Sequence, residues 1–271
     1  MTSASISTYK PHKCVFAESL EWSFESQIIP SNKRMNERAV VNIKNKKVFN
    51  RILSAIQFIH YTGVAESSQL FRLFGLKQVD IKYLVKNRVL VRHEIKTSAD
   101  RRKKGQNFRK SIYTLDEGAR VLCDTVYREQ NYWLSFTTQM VLKVLAFIEL
   151  FIVFKEAFPH SENLFVDESA TIKPFTGVID LNGKLFHVYV VRGKTSDLES
   201  YIRVNSNKSI RLCLLVENPN HIKPLIPRLT SSKMMVRVID ENEIAQDDAK
   251  LEELFYFIQN GGLIKEHLVM D

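Results

Sequence analysis

The chain has 271 residues, of which 45% are hydrophobic, so it is long enough for two folded domains and is not a disordered protein. Its three cysteines are far apart and form no CxxC pair, which argues against a disulfide framework or a zinc site and favours a reducing, cytoplasmic setting. Basic residues outnumber acidic ones and give a net charge of +9, which favours a polyanionic partner.

The first 46 residues show weak hydrophobic periodicity and several turn-forming residues, so the sequence predicts an extended N-terminal arm. No apolar run typical of a signal peptide occurs at the N-terminus, and we therefore do not expect secretion.

Apolar residues at helical spacing predict three short helices over residues 48–61, 66–74 and 77–87. Gly75 provides the break between the second and third helices. The third helix is apolar on one face and basic on the other, as a DNA recognition helix must be.

A strand over residues 89–95, a basic loop over 96–110 and a second strand over 111–115 are predicted next. Asp116 is expected to cap a further helix that reaches Val126. This order of elements predicts a winged helix-turn-helix domain.

That domain is assigned to residues 47–132. Its stretches GLKQVDIKYLVKNRVLVR (75–92) and IYTLDEGARVL (112–122) resemble the corresponding parts of many winged-helix DNA-binding proteins. The resemblance implies double-stranded DNA as the partner.

Charge supports the same interpretation. Residues 77–110 contain 12 Lys or Arg against three acidic residues, a net +9, so the rest of the chain is close to neutral. A charge concentrated on the predicted recognition helix and wing favours DNA, whereas the alternatives are a solvated basic loop or a protein-binding winged helix.

The expected DNA contacts fall into three groups. The start of the second helix offers phosphate donors, the third helix offers base-reading side chains, and the wing offers contacts to the backbone or minor groove. In chain order they are Ser67, Ser68, Lys77, Gln78, Lys82, Lys86, Arg101, Arg102, Lys103, Lys104, Gln106, Asn107, Arg109 and Lys110. Gln69 is considered as a phosphate donor together with Ser67 and Ser68.

A long helix over residues 135–157, within a linking segment 133–160, is apolar on nearly all sides and ends at Pro159. Lys143 and Glu149 interrupt its apolar run well short of the roughly 20 residues that span a bilayer, so we expect no membrane insertion. The winged helix, the following domain or the same helix of a second subunit could cover it, and a homodimer would suit a palindromic DNA site.

The C-terminal part, residues 161–271, alternates strand-like and helix-like segments and predicts a small α/β domain. Strands are expected over residues 185–191, 210–216 and 234–239. Helices are expected over 198–204 and 221–229, followed by an amphipathic helix over 249–259 that Gly261 and Gly262 close. The whole chain is therefore predicted to be α+β.

The segment from Pro174 to Lys194, with a turn at Asn182-Gly183, resembles the hairpin of the PD-(D/E)xK nuclease fold. Such sites need two acids to hold a metal ion and a lysine beside the attacked phosphate. Here Arg192 stands where the second acid is expected, and neither Phe175 nor Thr176 supplies the first.

Asp180 alone, with Asp167 and Glu168 upstream, is more typical of a turn former than of a metal ligand. We therefore expect a degenerate nuclease-like domain with no catalytic residues, no metal and no cofactor. The scattered histidines and the absence of a GxxxxGK[ST] loop argue in the same direction.

The order of a winged helix, a long helix (FTTQMVLKVLAFIELFIVFKEAF) and a nuclease-like hairpin (FTGVIDLNGKLFHVYVVRGK) resembles the replication-relaxation proteins of plasmids and conjugative elements. The resemblance implies a DNA-binding accessory factor for replication or transfer, with a relaxase or replication protein as partner. The alternatives are a winged-helix transcriptional regulator and a metal-dependent DNA nuclease.

Overall fold

The computed structural model describes residues 22–25, 46–97, 109–123, 132–161, 164–166, 172–246 and 249–266. Over these residues the fold is α+β, as predicted. A four-stranded and a seven-stranded sheet both contact one long helix.

The described residues of the N-terminal region form the smaller sheet and four helices. Its elements are β1 (Trp22–Glu25), α1 (Lys46–Thr62), β2 (Ala65–Glu66), α2 (Ser67–Phe74), α3 (Gln78–Lys86), β3 (Leu90–Thr97), β4 (Arg109–Leu115) and α4 (Glu117–Leu122). The strands are antiparallel in the order β1-β3-β4-β2. Strand β1 was not predicted: part of the expected arm pairs with β3, with Trp22 opposite Thr97.

Local signals in the sequence set the helix ends of this region. Gly75 takes a left-handed conformation with φ 66°, which closes α2 and lets the chain turn into α3. Asp116 caps α4 as predicted, because its Oδ1 accepts a hydrogen bond from the Glu117 N–H at 2.7 Å. Helix α4 ends before the predicted Val126, since Cys123 is already extended.

The long helix α5 (Thr138–Ala157) follows a 3-10 turn (Tyr132–Ser135), and eleven of its residues are buried. It packs against α2 and β2 of the N-terminal region and against β6 (Gly177–Leu181) and β7 (Lys184–Val191). The chain's own two sheets therefore cover the apolar surface that the sequence left unassigned. A side chain at Gly177 would place its Cβ 2.4 Å from the Phe147 ring, so the glycine lets α5 approach the sheet closely.

The C-terminal region contains the larger sheet. Its other elements are β5 (Leu164–Val166), α6 (Ser196–Asn205), β8 (Arg211–Val216), a 3-10 segment (Pro219–Leu225), α7 (Ile226–Thr230), β9 (Met235–Asp240), α8 (Glu241–Ile244), a 3-10 turn (Leu251–Glu253), β10 (Phe255–Gln259) and β11 (Gly262–Lys265). The strand order is β5-β6-β7-β8-β9-β10-β11; β7, β8 and β9 run parallel, and the other pairs are antiparallel.

The predicted helix over residues 249–259 is wrong. Only a 3-10 turn forms there, and β10 and β11 build a hairpin around Asn260 and Gly261 at φ 51° and 74°. Two positive φ values in succession make the tight turn that joins antiparallel strands, and the aromatic run before it suits a strand. The predicted turn at Asn182-Gly183, at φ 53° and 77°, is confirmed and has the same form.

None of the helices in the described part of the chain combines the length and apolar character needed to cross a bilayer.

Candidate functional site

Helix α3 presents one of its faces to solvent. Ile81 and Leu84 are buried beneath the helix. The opposite side consists of residues at positions i, i+3, i+4 and i+7, which lie above one another on a helix. These are Val79, Lys82, Tyr83 and Lys86, all of them exposed.

Four predicted contact residues lie on or next to this helix. Lys77, Gln78, Lys82 and Lys86 are exposed, and the Lys77 N–H donates to Asp80 Oδ2 at 2.8 Å to start the helix. The Gln78 amide also lies beside the hydroxyl of Tyr113 on β4, where it opposes the rise that burial causes in the pKa of Tyr113. Gln78 is therefore close to the sheet as well as exposed.

Val79 and Tyr83 lie at the centre of the outward face, and the sequence interpretation missed both. Val79 is 68% exposed and Tyr83 36%. The signal was present, because buried Ile81 and Leu84 fix the helix orientation and the 79, 82, 83, 86 spacing then defines the opposite side. The prediction selected only polar and basic side chains that can hydrogen-bond bases, such as Lys77 and Gln78.

Helix α2 is fixed to α5 by polar side chains. Gln69 is fully buried, and its Nε2 donates to Leu145 O at 3.0 Å and to Glu149 Oε1 at 2.8 Å. The proposed phosphate contact from Gln69 is therefore wrong. Arg72 forms ion pairs with Glu149 at 2.9 Å and with Glu156 at 2.8 Å. Of the two predicted serines, Ser68 is exposed and Ser67 half-buried.

Of the predicted wing contacts, only two lie within the described residues. Arg109 and Lys110 belong to β4, whose register pairs them with Lys96 and Ile95 at the far end of the hairpin. The other wing residues lie outside the described residues; they are Arg101, Arg102, Lys103, Lys104, Gln106 and Asn107.

Two arginines of the basic stretch are engaged within the fold. Arg88 is paired with Asp116 at 3.3 Å and with Glu117 at 3.1 Å, and its side chain is only 12% exposed. Arg92 is paired with Glu94 at 3.0 Å. The basic stretch 77–110 therefore offers less positive charge to a ligand than its count of Lys and Arg suggests. In the described part of this stretch, the exposed lysines lie on α3 and at its start.

The four-stranded sheet contains a buried polar side chain, His93, that is uncharged near neutral pH. His93 is buried, its Nε2 lies 2.8 Å from Thr114 Oγ1, and its ring packs edge-on against Trp133 at a centroid distance of 4.5 Å. Burial lowers the pKa of His93 from 6.5 to about 4, because the charged form would lose its hydration.

In the C-terminal region, the residues compared with a nuclease hairpin have structural contacts. The Asp180 carboxylate accepts the Gly183 N–H at 2.7 Å and so shapes the Asn182-Gly183 turn, as a turn former does. Thr176 Oγ1 accepts the Val190 N–H at 3.2 Å, and Phe175 is buried. Asp167 and Glu168 lie outside the described residues.

Arg192 directly follows β7 and is 1% exposed. Its guanidinium forms a short ion pair with Glu241 after β9 and a longer one with Glu217 after β8, at 3.8 Å. The parallel register aligns the ends of these three strands, so the three side chains meet at one sheet edge. Gln139 of α5 donates to the Arg192 carbonyl at 3.0 Å.

The electrostatics of this cluster are those of a buried ion pair. Burial raises the pKa of Glu241 from 4.5 to about 7, and Arg192 opposes the shift. Lys194, two residues after Arg192, is exposed and forms no ion pair with an acid in the described part of the chain. No three His, Cys, Asp or Glu side chains among the described residues are grouped as metal ligands.

Comparison with models of protein families, with curated proteins and with solved structures gives no match for this chain.

Proposed function

We propose that the chain is a double-stranded DNA-binding protein whose N-terminal region is a winged helix-turn-helix. The order α1-β2-α2-α3-β3-β4, with β2 paired to β4 and β4 to β3, supports this assignment. Helix α3 then takes the place of the recognition helix, and the β3–β4 connection takes that of the wing.

The observation that carries the proposal is the outward face of α3. Lys82 and Lys86 are exposed one turn apart, and neither has an ion-pair partner among the described residues. Two cations left outside the fold's own ion pairs suit a polyanion, and a helix is the element that enters the major groove.

The C-terminal region has the order α5-β5-β6-β7-α6-β8, which resembles the core of a PD-(D/E)xK nuclease. We propose that it does not cut DNA. The position expected for the second acid carries a buried guanidinium, and a positive charge there disfavours a divalent cation. Asp180 is engaged in its turn.

Together these features favour a non-cutting accessory factor in DNA processing, of the kind that the replication-relaxation resemblance implies. The N-terminal region would deliver the protein to DNA, and the C-terminal region would contact a relaxase or replication protein. Footprinting on the chain's own replicon distinguishes this role from that of a transcriptional regulator: protection at an origin of replication or transfer supports it, and protection at an operon promoter contradicts it.

DNA binding is tested by fluorescence anisotropy with duplex DNA over a range of salt concentrations. Lys82→Ala/Lys86→Ala should weaken binding and make log K fall less steeply with log salt, because each cation that neutralises a phosphate releases about one counterion. The matched control is Lys208→Ala/Lys223→Ala, which removes the same charge from exposed positions of the C-terminal region. Equal behaviour of the two double variants would contradict an interface on α3.

The non-cutting assignment is tested by incubating supercoiled plasmid with the protein and magnesium or manganese. We expect no nicking. Nicking by the wild type that Asp180→Ala abolishes would overturn this part of the proposal.

A further inference from the structure

The proposed DNA interface contains an apolar side chain at a position where a helix meets base edges. Val79 is the second residue of α3 and is 68% exposed. When a recognition helix enters the major groove, its N-terminal residues contact the bases. The inference drawn here rests on the proposed function and specifies what α3 reads.

The neighbours of Val79 separate its role from that of the charged residues. Lys82 and Tyr83 lie one turn further along the same face, and Ile81 points into the core. Val79 lies on the side of the helix opposite to the buried Ile81 and Leu84 and is largely exposed. Its isopropyl group is thus available at the leading end of the helix.

Major-groove chemistry restricts what an isopropyl group can recognise. Among the four bases, only thymine presents an apolar group in this groove, the C5 methyl. Guanine, adenine and cytosine present donors and acceptors, which a valine cannot satisfy and would desolvate. Lys82, one turn later, can donate to guanine O6 and N7.

We propose that Val79 is a specificity-determining residue that contacts a thymine C5 methyl, so that the preferred DNA site contains a thymine whose methyl group is required. The cations of α3 supply affinity, whereas Val79 supplies discrimination for a methylated pyrimidine.

The experiment starts from a site selected out of a random duplex pool with the wild-type protein. Each thymine is then replaced in turn by deoxyuridine, which keeps the base pairing and removes only the methyl group. For the wild type, one or two replacements should lower affinity about fourfold, which is the factor that burial of one methyl group carries.

Three variants make the test specific. For Val79→Ala, the ratio of the affinities for the thymine site and the deoxyuridine site should fall close to 1, because the shortened side chain no longer reaches the methyl. Val79→Thr keeps one methyl at the same position and should retain part of the ratio. Val204→Ala is the matched control, since Val204 is 79% exposed on α6 and should leave the ratio unchanged.

The possible failures are distinguishable. If the wild type binds no duplex, the proposed function is wrong and the inference with it. If the wild type binds duplex DNA but no deoxyuridine replacement matters, or Val79→Ala keeps the full ratio, DNA binding stands and the role of Val79 is overturned.

Discussion

Positive charge lies at the surface on α3 of the N-terminal region and is buried at Arg192 of the C-terminal region. In the N-terminal region His93 is buried and neutral, and the lysines of α3 remain at the surface, although Arg88 is largely covered and paired with Asp116. In the C-terminal region Arg192 is buried and paired with Glu241 and Glu217. The lysines of α3 form no ion pair among the described residues, whereas Arg192 holds the ends of three strands together.

The difference shows that a cation at the end of a strand can stabilise the fold instead of binding a ligand. A charge at the end of β7 can act on a ligand only if the fold leaves it accessible. The carboxylates at the ends of β8 and β9 neutralise Arg192 instead. Charge alone therefore does not identify a functional site; the location of its counterion decides.

Removing the buried cation should give the largest effect. Arg192→Met leaves Glu241 buried without its partner, and we expect the free energy of unfolding to fall by about 3–5 kcal/mol in urea denaturation. The double variant Arg192→Met/Glu241→Leu should recover much of this loss, because the fully buried carboxylate is removed together with its partner, while Glu217 keeps contact with water. Arg203→Met, at an exposed position of α6, is the control and should change little. A loss below about 1 kcal/mol for Arg192→Met would show that the cluster is not structural.

Acid should weaken the neutral core of the N-terminal region. The pKa of His93 is about 4 in the folded protein, against 6.5 for a histidine in the unfolded chain. Between these pH values the unfolded chain binds a proton that the folded protein does not, so stability falls as pH decreases from 6.5 to 4. The full loss is about 3 kcal/mol.

The contribution of His93 is isolated by measuring unfolding of the wild type and His93→Leu at several pH values and taking their difference. Titration of the other groups cancels in that difference, and the wild type should lose stability relative to the variant below pH 6.5. A difference that does not change with pH would mean that His93 is protonated without cost in the folded protein.

The surface cation should give the smallest effect on stability. Lys82→Ala should leave the free energy of unfolding within about 0.5 kcal/mol, since Lys82 is exposed and has no ion-pair partner among the described residues. Its effect should appear in DNA binding, as a greater loss on a selected site than on random DNA. Equal losses on both would reduce Lys82 to a phosphate contact, and a large loss of stability would remove the contrast with Arg192.

Sequence patterns predicted most helices and strands because hydrophobic spacing and helix caps depend only on residues that are close together in the chain. Residues 77–87 and 185–191 are examples: their periodicity alone predicts α3 and β7 closely. The dipeptide Asn-Gly was interpreted correctly at Asn182 and missed at Asn260, where a helical spacing of apolar residues outweighed the turn signal. The β10–β11 hairpin depends on pairing with β9, a contact that local spacing cannot express.

The candidate site was predictable in part. The exposed lysines of α3 follow from the amphipathic pattern, and the presence of Arg192 instead of an acid two residues before Lys194 is visible in the sequence. The partner of Arg192 is not, because Glu241 lies 49 residues away and reaches it only through the parallel register of β7, β8 and β9. Gln69 was misjudged for a similar reason. Its position at the start of a helix suggested a contact to a ligand, but its amide donates to residues of α5 that are distant in sequence.

Helix α5 has a consequence for how the protein can be made. One apolar core runs from α1 through α5 to the strands of the larger sheet. While the chain is being synthesised, α5 leaves the ribosome before β6 and β7 exist to cover it, so an apolar surface is exposed until the larger sheet forms. The same surface would be uncovered in any truncated product that stops after Ala157, and such a fragment should aggregate. The N-terminal region therefore needs the larger sheet to cover α5.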